Sequence, residues 1–224
     1  MKDTIAIIPA RKNSKRLKLK NIKDFMGKPL IYYAIKSALT SNFISEVIVS
    51  TDCKKTKKIS EKFGAKVPYL RDRKLSSDNS TTIQLIQDLY EKYISKKQKI
   101  KKIIILQPTS PLRDYKDINN SINFFNLKKA DYVASVCEAK PKNWFINIKP
   151  NKSINKNYLF KKKKQSKNYL LNGAIYIFKS SLFFKENLKI KRPYAFVMDS
   201  KKFVDIDNKF DFELARLIKK YIKC

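Results

Sequence analysis

Between Ala10 and Asn21 the chain gathers Arg11, Lys12, Lys15, Arg16, Lys18 and Lys20, directly after the short apolar run Thr4–Pro9. Near the other end, Val204-Asp205-Ile206-Asp207 places two carboxylates two residues apart. On extended backbone that spacing turns both the same way, an arrangement suited to sharing a Mg2+ ion that keeps several waters. The basic segment suits a polyphosphate, because a buried strand that delivers a cationic loop to its carboxyl end commonly forms such a pocket. Nucleotidyl transfer needs these parts: cations on a triphosphate, a divalent ion at the α-phosphate and a positioned acceptor hydroxyl. Arg11, Lys15 and Lys20 can neutralise charge on departing pyrophosphate. Two plainer readings stay open, namely lysines of a lysine-rich surface and an Asp-x-Asp pair that only faces solvent.

Further polar clusters follow other apolar runs. Ser50-Thr51-Asp52 and Gln107-Pro108-Thr109-Ser110-Pro111-Leu112-Arg113 offer hydroxyls and amides for a base, ribose or sugar, although turn chemistry also favours Pro, Ser and Thr there. Arg71 and Arg73 precede Ser77-Asp78, a candidate wall for a nucleotide. Asn172-Gly173 interrupts an apolar stretch, as a bulge, a hairpin or a backbone approach to a ligand would. Asp211 opens a helical stretch that it can cap.

Composition narrows the chemistry. Histidine is absent, which removes the usual general base, the triad imidazole and most zinc sites. The basic loop lacks the glycines and Gly-Lys-Ser/Thr ending of a P-loop, and it is no dinucleotide fingerprint. Cys53, Cys137 and Cys224 have no metal-ligand spacing and fit reduced cytosolic thiols. The net charge of +32 suggests nucleic acid, but only 7 of the 51 basic residues are arginine and the lysines are spread throughout. Base-edge reading favours arginine in bidentate geometry, so no specific nucleic-acid partner is expected. No run approaches the roughly 20 apolar residues that span a bilayer, and a cytoplasmic protein without a membrane partner is expected.

The elements that must position these residues alternate along the 224-residue chain. Strands are expected at Thr4–Pro9, Glu46–Ser50, Lys66–Leu70, Lys102–Gln107 and Tyr132–Cys137. Helices are expected at Pro29–Ser41, Lys54–Phe63, Ser80–Tyr93 and Asp117–Leu127. Such alternation predicts a mostly parallel sheet flanked by helices, an α/β fold within a single domain, 1–224. Residues 139–169 read as an excursion able to form a two-chain interface. Leu170–Phe178, Tyr194–Met198 and Phe203–Ile206 return to strand character, and Phe210–Ile222 closes as an amphipathic helix.

Six segments together resemble the acylneuraminate (nonulosonic acid) cytidylyltransferases, the family that includes CMP-sialic acid synthetases. They are Ile7–Asn21 (IIPARKNSKRLKLKN), Gly27–Ile31, Val49–Asp52, Leu106–Arg113 (LQPTSPLR), Asn172–Tyr176 (NGAIY) and Asp205–Asp211 (DIDNKFD). The resemblance implies a three-layer α/β/α fold of the nucleotide-diphospho-sugar transferase type, with a small inserted dimerisation lobe at 139–169. It implies transfer of CMP from CTP to the anomeric hydroxyl of an acidic nine-carbon keto sugar, with Mg2+ as cofactor and a homodimer as the working form. The catalytic set would be Arg11, Lys15, Lys20 and Asp207, with Asp205 and Asp207 on the metal. The substrate-binding set would be Ala10, Asn21, Arg71, Ser77, Gln107, Thr109, Ser110 and Asn172. Of these, Asn21, Arg71 and Ser77 would lie near the cytidine and Gln107 at the acceptor. Lys12-Asn13 replaces two glycines common in the family, and Lys18 a proline. Lys164–Tyr169 replaces an Arg-Gln segment, so Lys142, Lys163 or Lys164 would meet the sugar carboxylate as point charges. Asn172-Gly173-Ala174 resembles the sialic or legionaminic branch more than the pseudaminic one. Pseudaminic acid or 3-deoxy-octulosonate as acceptor, and a basic nucleic-acid-binding protein, are the alternatives.

Overall fold

The computed structural model describes residues 2–12, 16–77, 80–97, 99–139, 168–184 and 189–222. Six strands form one sheet: β1 (Thr4–Pro9), β4 (Ile44–Ser50), β5 (Lys102–Leu106), β6 (Tyr132–Glu138), β7 (Tyr169–Lys179) and β8 (Pro193–Val197). Between β1 and β4, β2 (Asp24–Phe25) and β3 (Lys28–Pro29) make a separate short hairpin. The sheet order is β4-β1-β5-β7-β6-β8. β7 alone runs against its neighbours, and the other pairings are parallel. The α/β expectation therefore holds, with one reversed strand that the apolar run Leu170–Phe178 did not disclose.

Both faces of the central strands are buried, which is why β1 and β5 read as continuous apolar runs. Ala6, Ile8, Ile104 and Leu106 pack on one face with Ile31, Ala34 and Ile35 of α1 (Leu30–Thr40). α2 (Lys54–Lys62) follows β4 and stops at Gly64, whose φ of +89° a glycine adopts without a Cβ penalty. Ile5, Ile7, Ile103 and Ile105 point to the opposite face, against Leu85, Ile86 and Leu89 of α3 (Thr82–Leu89). Each fully buried isoleucine contributes about 1.5–3 kcal/mol, so this strand pair is strongly held. Ile118, Ile122 and Phe125 of α4 (Tyr115–Leu127) join the first face. A third cluster, outside the sheet, packs Phe212 and Ala215 of α5 (Lys209–Ile222) against Phe25, Leu30, Leu112, Val204 and Ile206.

Several boundaries differ from the sequence reading. Lys66–Leu70 forms no strand; it meets the sheet by one parallel bridge, Ile48 to Lys66. Pro68 stands at the middle of that segment and has no N–H to donate to a ladder. Phe203–Ile206 is extended without a ladder, tied by the Ile206 N–H to the Thr109 carbonyl at 2.9 Å. Ser80–Tyr93 divides into α3 and a π turn, Tyr90–Ile94. The excursion expected at 139–169 leaves from the open end of the β6–β7 pair, where Ala139 N–H donates to the Asn168 carbonyl at 2.8 Å. Tyr169 already belongs to β7. Residues 140–167, with Lys142, Lys163 and Lys164, lie outside the described residues.

Candidate active site

The parallel strands β1, β4 and β5 end at one edge of the sheet, and β1 lies between the other two. α1 and α3, which make the connections on either side, pack on opposite faces. An open α/β sheet has its crevice where connections part in this way, outside the carboxyl ends of the strands. Ala10 leaves β1 fully buried and donates its N–H to the Ser50 carbonyl at 2.9 Å. The basic loop therefore starts from a fixed point. The buried Asn21 returns from the loop's far end and donates Nδ2 to the Arg11 carbonyl at 3.1 Å.

On one side of this crevice is a cleft of about 700 Å³ lined by Lys12, Asp52, Leu70, Arg71, Asp72, Ser76 and Ser77. That volume lies within the range of small-molecule sites. Arg71 is buried, donating to the Ser50 carbonyl from Nη2 and to the Leu75 carbonyl from Nη1 at 3.4 Å. Burial lowers its pKa, while Asp52 acts against that. Arg11 Nη1 reaches the Ser77 carbonyl at 3.3 Å, so the basic loop meets the Arg71–Ser77 segment. The Lys12 N–H donates to Asp52 Oδ1 at 2.7 Å, giving Asp52 a part in holding the loop that its sequence context did not reveal. The Arg73 side chain, Asp78 and Lys15 lie outside the described residues.

The basic and acidic segments touch. Lys20 Nζ donates to the Ile206 carbonyl at 2.6 Å and to Asp207 Oδ1 at 3.3 Å. Arg16 Nη1 takes the other carboxylate oxygen, Oδ2, at 3.0 Å. Nothing in the local sequence sets Arg16 apart from the other loop cations, because its partner is 191 residues away. The Arg16 pair is largely exposed and contributes about 0–1 kcal/mol to stability, so its significance is placement. Lys20 is different, with only 12% of its side chain exposed.

Asp205 and Asp207 alternate with the buried Val204 and Ile206, which face the α5 cluster. Both carboxylates therefore face outward from an extended segment. Burial raises the pKa of Asp205; a hydrogen bond from Thr109 favours the ionised form, while neighbouring Asp207 adds to the rise. Asp211 is the capping group expected of it: Oδ2 accepts from the Asp207 and Asn208 N–H groups at 2.9 and 3.0 Å. Asn208 Oδ1 accepts from the Asp211 N–H at 3.0 Å and completes a capping box. Among the described residues no three acidic, cysteine or histidine side chains gather as a metal cluster. Two outward carboxylates still fit a Mg2+ ion whose remaining ligands are water and substrate phosphate.

The remaining residues expected to bind substrate divide into accessible and buried. Gln107 and Thr109 are partly exposed at the end of β5, whereas Ser110 is buried. Asn172 is also buried; its Oδ1 accepts from Ser135 Oγ and from the Ala174 N–H, and its Nδ2 faces Met198 Sδ at 3.4 Å. Its side chain shapes β7 from within. Gly173 adopts φ +69°, and a Cβ there would stand 3.6 Å from Asp205 Oδ2. This places the bend of β7 directly beside the carboxylates.

A family model described as Cytidylyltransferase matches residues 5–218. The chain belongs to that family. Among curated relatives, this cytidylyltransferase is 31% identical to a pseudaminic acid cytidylyltransferase of Campylobacter jejuni, over 96% of each chain. It is 35% identical to a CMP-N,N'-diacetyllegionaminic acid synthase of Legionella pneumophila, over 77% of this chain and 76% of that one. It is 33% identical to an N-acylneuraminate cytidylyltransferase of Escherichia coli O18:K1:H7, over 94% of this chain but 51% of the relative. Among solved structures, a CMP:2-keto-3-deoxy-manno-octonic acid synthetase complexed with CTP superposes with a TM-score of 0.72. It is 16% identical, covers 98% of this chain and 99% of its own, and supports the shared fold. No helix among the described residues is long and apolar enough to cross a membrane.

Proposed function

We propose that the enzyme transfers CMP from CTP to the anomeric hydroxyl of a nonulosonic acid of the sialic or legionaminic type, releasing pyrophosphate. The observation that carries this reading is the Lys20 contact, which joins the cationic loop to the Asp205–Asp207 segment, while Arg11 of the same loop reaches the Arg71–Ser77 wall. The names of the relatives support the acceptor class. Asn172-Gly173-Ala174 supports the sialic or legionaminic branch within it, with pseudaminic acid as the alternative that the Campylobacter relative represents.

In this reading the cytidine occupies the 700 Å³ cleft. Arg11, Lys15 and Lys20 face the triphosphate, and Gln107 faces the acceptor. Asp205 and Asp207 would hold Mg2+, which supplies charge neutralisation at the phosphate when bound. Arg16 and Lys20 occupy both oxygens of Asp207 in the structure. Turning those cations onto an arriving triphosphate frees the carboxylate while keeping every charge paired. Asp207 is then the group proposed to assist removal of the acceptor hydroxyl proton. A homodimer in the cytoplasm is the proposed working form.

The test is pyrophosphate release with Mg2+, each of the four common nucleoside triphosphates and a panel of nonulosonic acids and 3-deoxy-octulosonate. CTP-dependent turnover with sialic or legionaminic acid is expected. Turnover confined to pseudaminic acid or octulosonate would correct the acceptor, and indifference to the nucleotide would remove the reading. The acceptor is an anion, so its KM should rise with salt more than that of a neutral analogue.

A further inference from the structure

Arg113 closes the loop that begins at Gln107, and only 3% of it is exposed. Its Nη1 donates to two carbonyls, Gln107 at 3.1 Å and Ala174 at 2.9 Å. The last paired residues of β5 and β7 are Leu106 and Ile175. Gln107 and Ala174 are the next residues outward, so the guanidinium bridges the two strands at the point where their ladder ends. It acts as one more rung, made by a side chain.

What this rung holds is specific to one half of the cleft. Gln107 is the residue assigned to the acceptor. Thr109, inside the same loop, accepts the Ile206 N–H at its carbonyl at 2.9 Å, next to Asp205 in the chain. Ala174 follows Gly173, whose backbone lies against Asp205. None of the residues lining the nucleotide cleft bonds to Arg113.

The burial of this cation is unusual in its partners. No carboxylate among the described residues forms an ion pair with it, and Nε and Nη2 have no hydrogen-bond partner, nor does the neighbouring Ser110 Oγ. Asp117 and Asp114 favour its charged form without touching it, and both are hydrogen-bonded by Lys202 instead, Asp114 at 2.8 Å and Asp117 at 2.9 Å. Burial lowers the pKa of Arg113 to about 10, which leaves it a cation at neutral pH. A buried charge without a paired anion costs several kcal/mol in general, and a hydrophobic side chain would avoid that cost. A group retained on those terms has a task beyond filling space.

We propose that Arg113 is a positioning residue for the acceptor: it locks the Gln107–Thr109 loop to β7, and so sets acceptor affinity while leaving CTP affinity untouched. This rests on the reaction proposed above. The experiment is pyrophosphate release by Arg113→Met and Arg113→Lys, with CTP and acceptor titrated separately, alongside calorimetric binding of CTP and the thermal midpoint of each variant. For Arg113→Met, acceptor KM should rise at least about tenfold, with CTP KM and calorimetric CTP affinity within about twofold of the unsubstituted enzyme. Arg113→Lys should recover part of the loss, because an ammonium can still reach one of the two carbonyls. Should the methionine variant fail to fold, the lysine variant decides by the same ratio of KM values. Both KM values rising together, or an unchanged acceptor KM, would overturn the assignment. Failure of the underlying reaction shows separately, in the unsubstituted enzyme, as absence of CTP-dependent release with any acidic keto sugar.

Discussion

The two sides of the cleft are built by different means. On the side proposed for the nucleotide, β1 and β4 run parallel, end at the same edge and release loops from it. Arg11, Asp52, Arg71 and Ser77 all lie on those loops or on the segment after the Ile48–Lys66 bridge. On the side proposed for the acceptor, β7 runs the other way and passes through the edge, so its contribution is made inside a strand. Asn172 and Gly173 cannot turn outward by looping. Instead Asn172 is held from within by Ser135, and the positive φ of Gly173 bends the strand beside Asp205. A loop can be re-aimed by any residue in it, whereas a bent strand depends on one residue of permitted backbone geometry and on a fastening at the bend.

The largest effect expected of any single change is at the junction of the two sides. Asp207→Asn should lower CTP-dependent turnover at least about 100-fold, the scale of one transition-state electrostatic contact, with circular dichroism unchanged. Intact turnover would show that the carboxylate shared by Arg16 and Lys20 is only a surface ion pair. Next, Arg71→Met should raise the KM for CTP about tenfold, from loss of a buried charged donor, with acceptor KM within about twofold. That is the mirror image of the Arg113 result, and both variants shifting the same substrate would dissolve the division between the two sides.

Smaller still is Gly173→Ala. The space is adequate, since the nearest atom would be 3.6 Å away, so the penalty is the left-handed backbone alone. About 1–2 kcal/mol is expected, seen as a thermal midpoint lower by roughly 2–8 °C for a chain of this size. An unchanged midpoint would mean the bend is not fixed by that residue. The smallest effect is a control remote from the cleft, at Glu46 on the outer strand β4. Burial opposes its ionisation, but hydrogen bonds from Tyr93 at 2.6 Å and Lys97 at 2.9 Å, with Lys66 nearby, outweigh it and lower its pKa. Its stabilising contribution is therefore present above the ordinary glutamate range and is lost as pH falls through its lowered value. Glu46→Gln should reduce the thermal midpoint at pH 7, and the difference from the unsubstituted protein should shrink in acid and vanish once the pH has fallen below the lowered pKa of Glu46. Activity should not change.

Much of the nucleotide side was legible in the sequence, because its signals are local. A short apolar run such as Thr4–Pro9 reads as a buried strand, and its observed bounds match the expected ones. The pairing of Asp205 with Asp207 also survived, although their segment is not a strand, because alternation needs only extended backbone. The acceptor side was less legible. The direction of β7 leaves no mark on an apolar run, and Asn172 reads as a ligand contact until Ser135 is found against it. Arg113 follows a Pro- and Ser-containing turn, where nothing local marks a cation for burial.

The sequence alone determined the alternating α/β architecture, the burial of its central strands and the chemical character of the two charged segments, since hydrophobic period and side-chain type are properties of short stretches. Only the tertiary structure decided that Lys20 meets Ile206 and Asp207, that β7 is reversed and that Arg113 fastens Gln107 to Ala174. Each of these joins parts of the chain that are far apart in sequence. Such contacts are fixed by how sheet and helices pack as a whole, which no local pattern encodes.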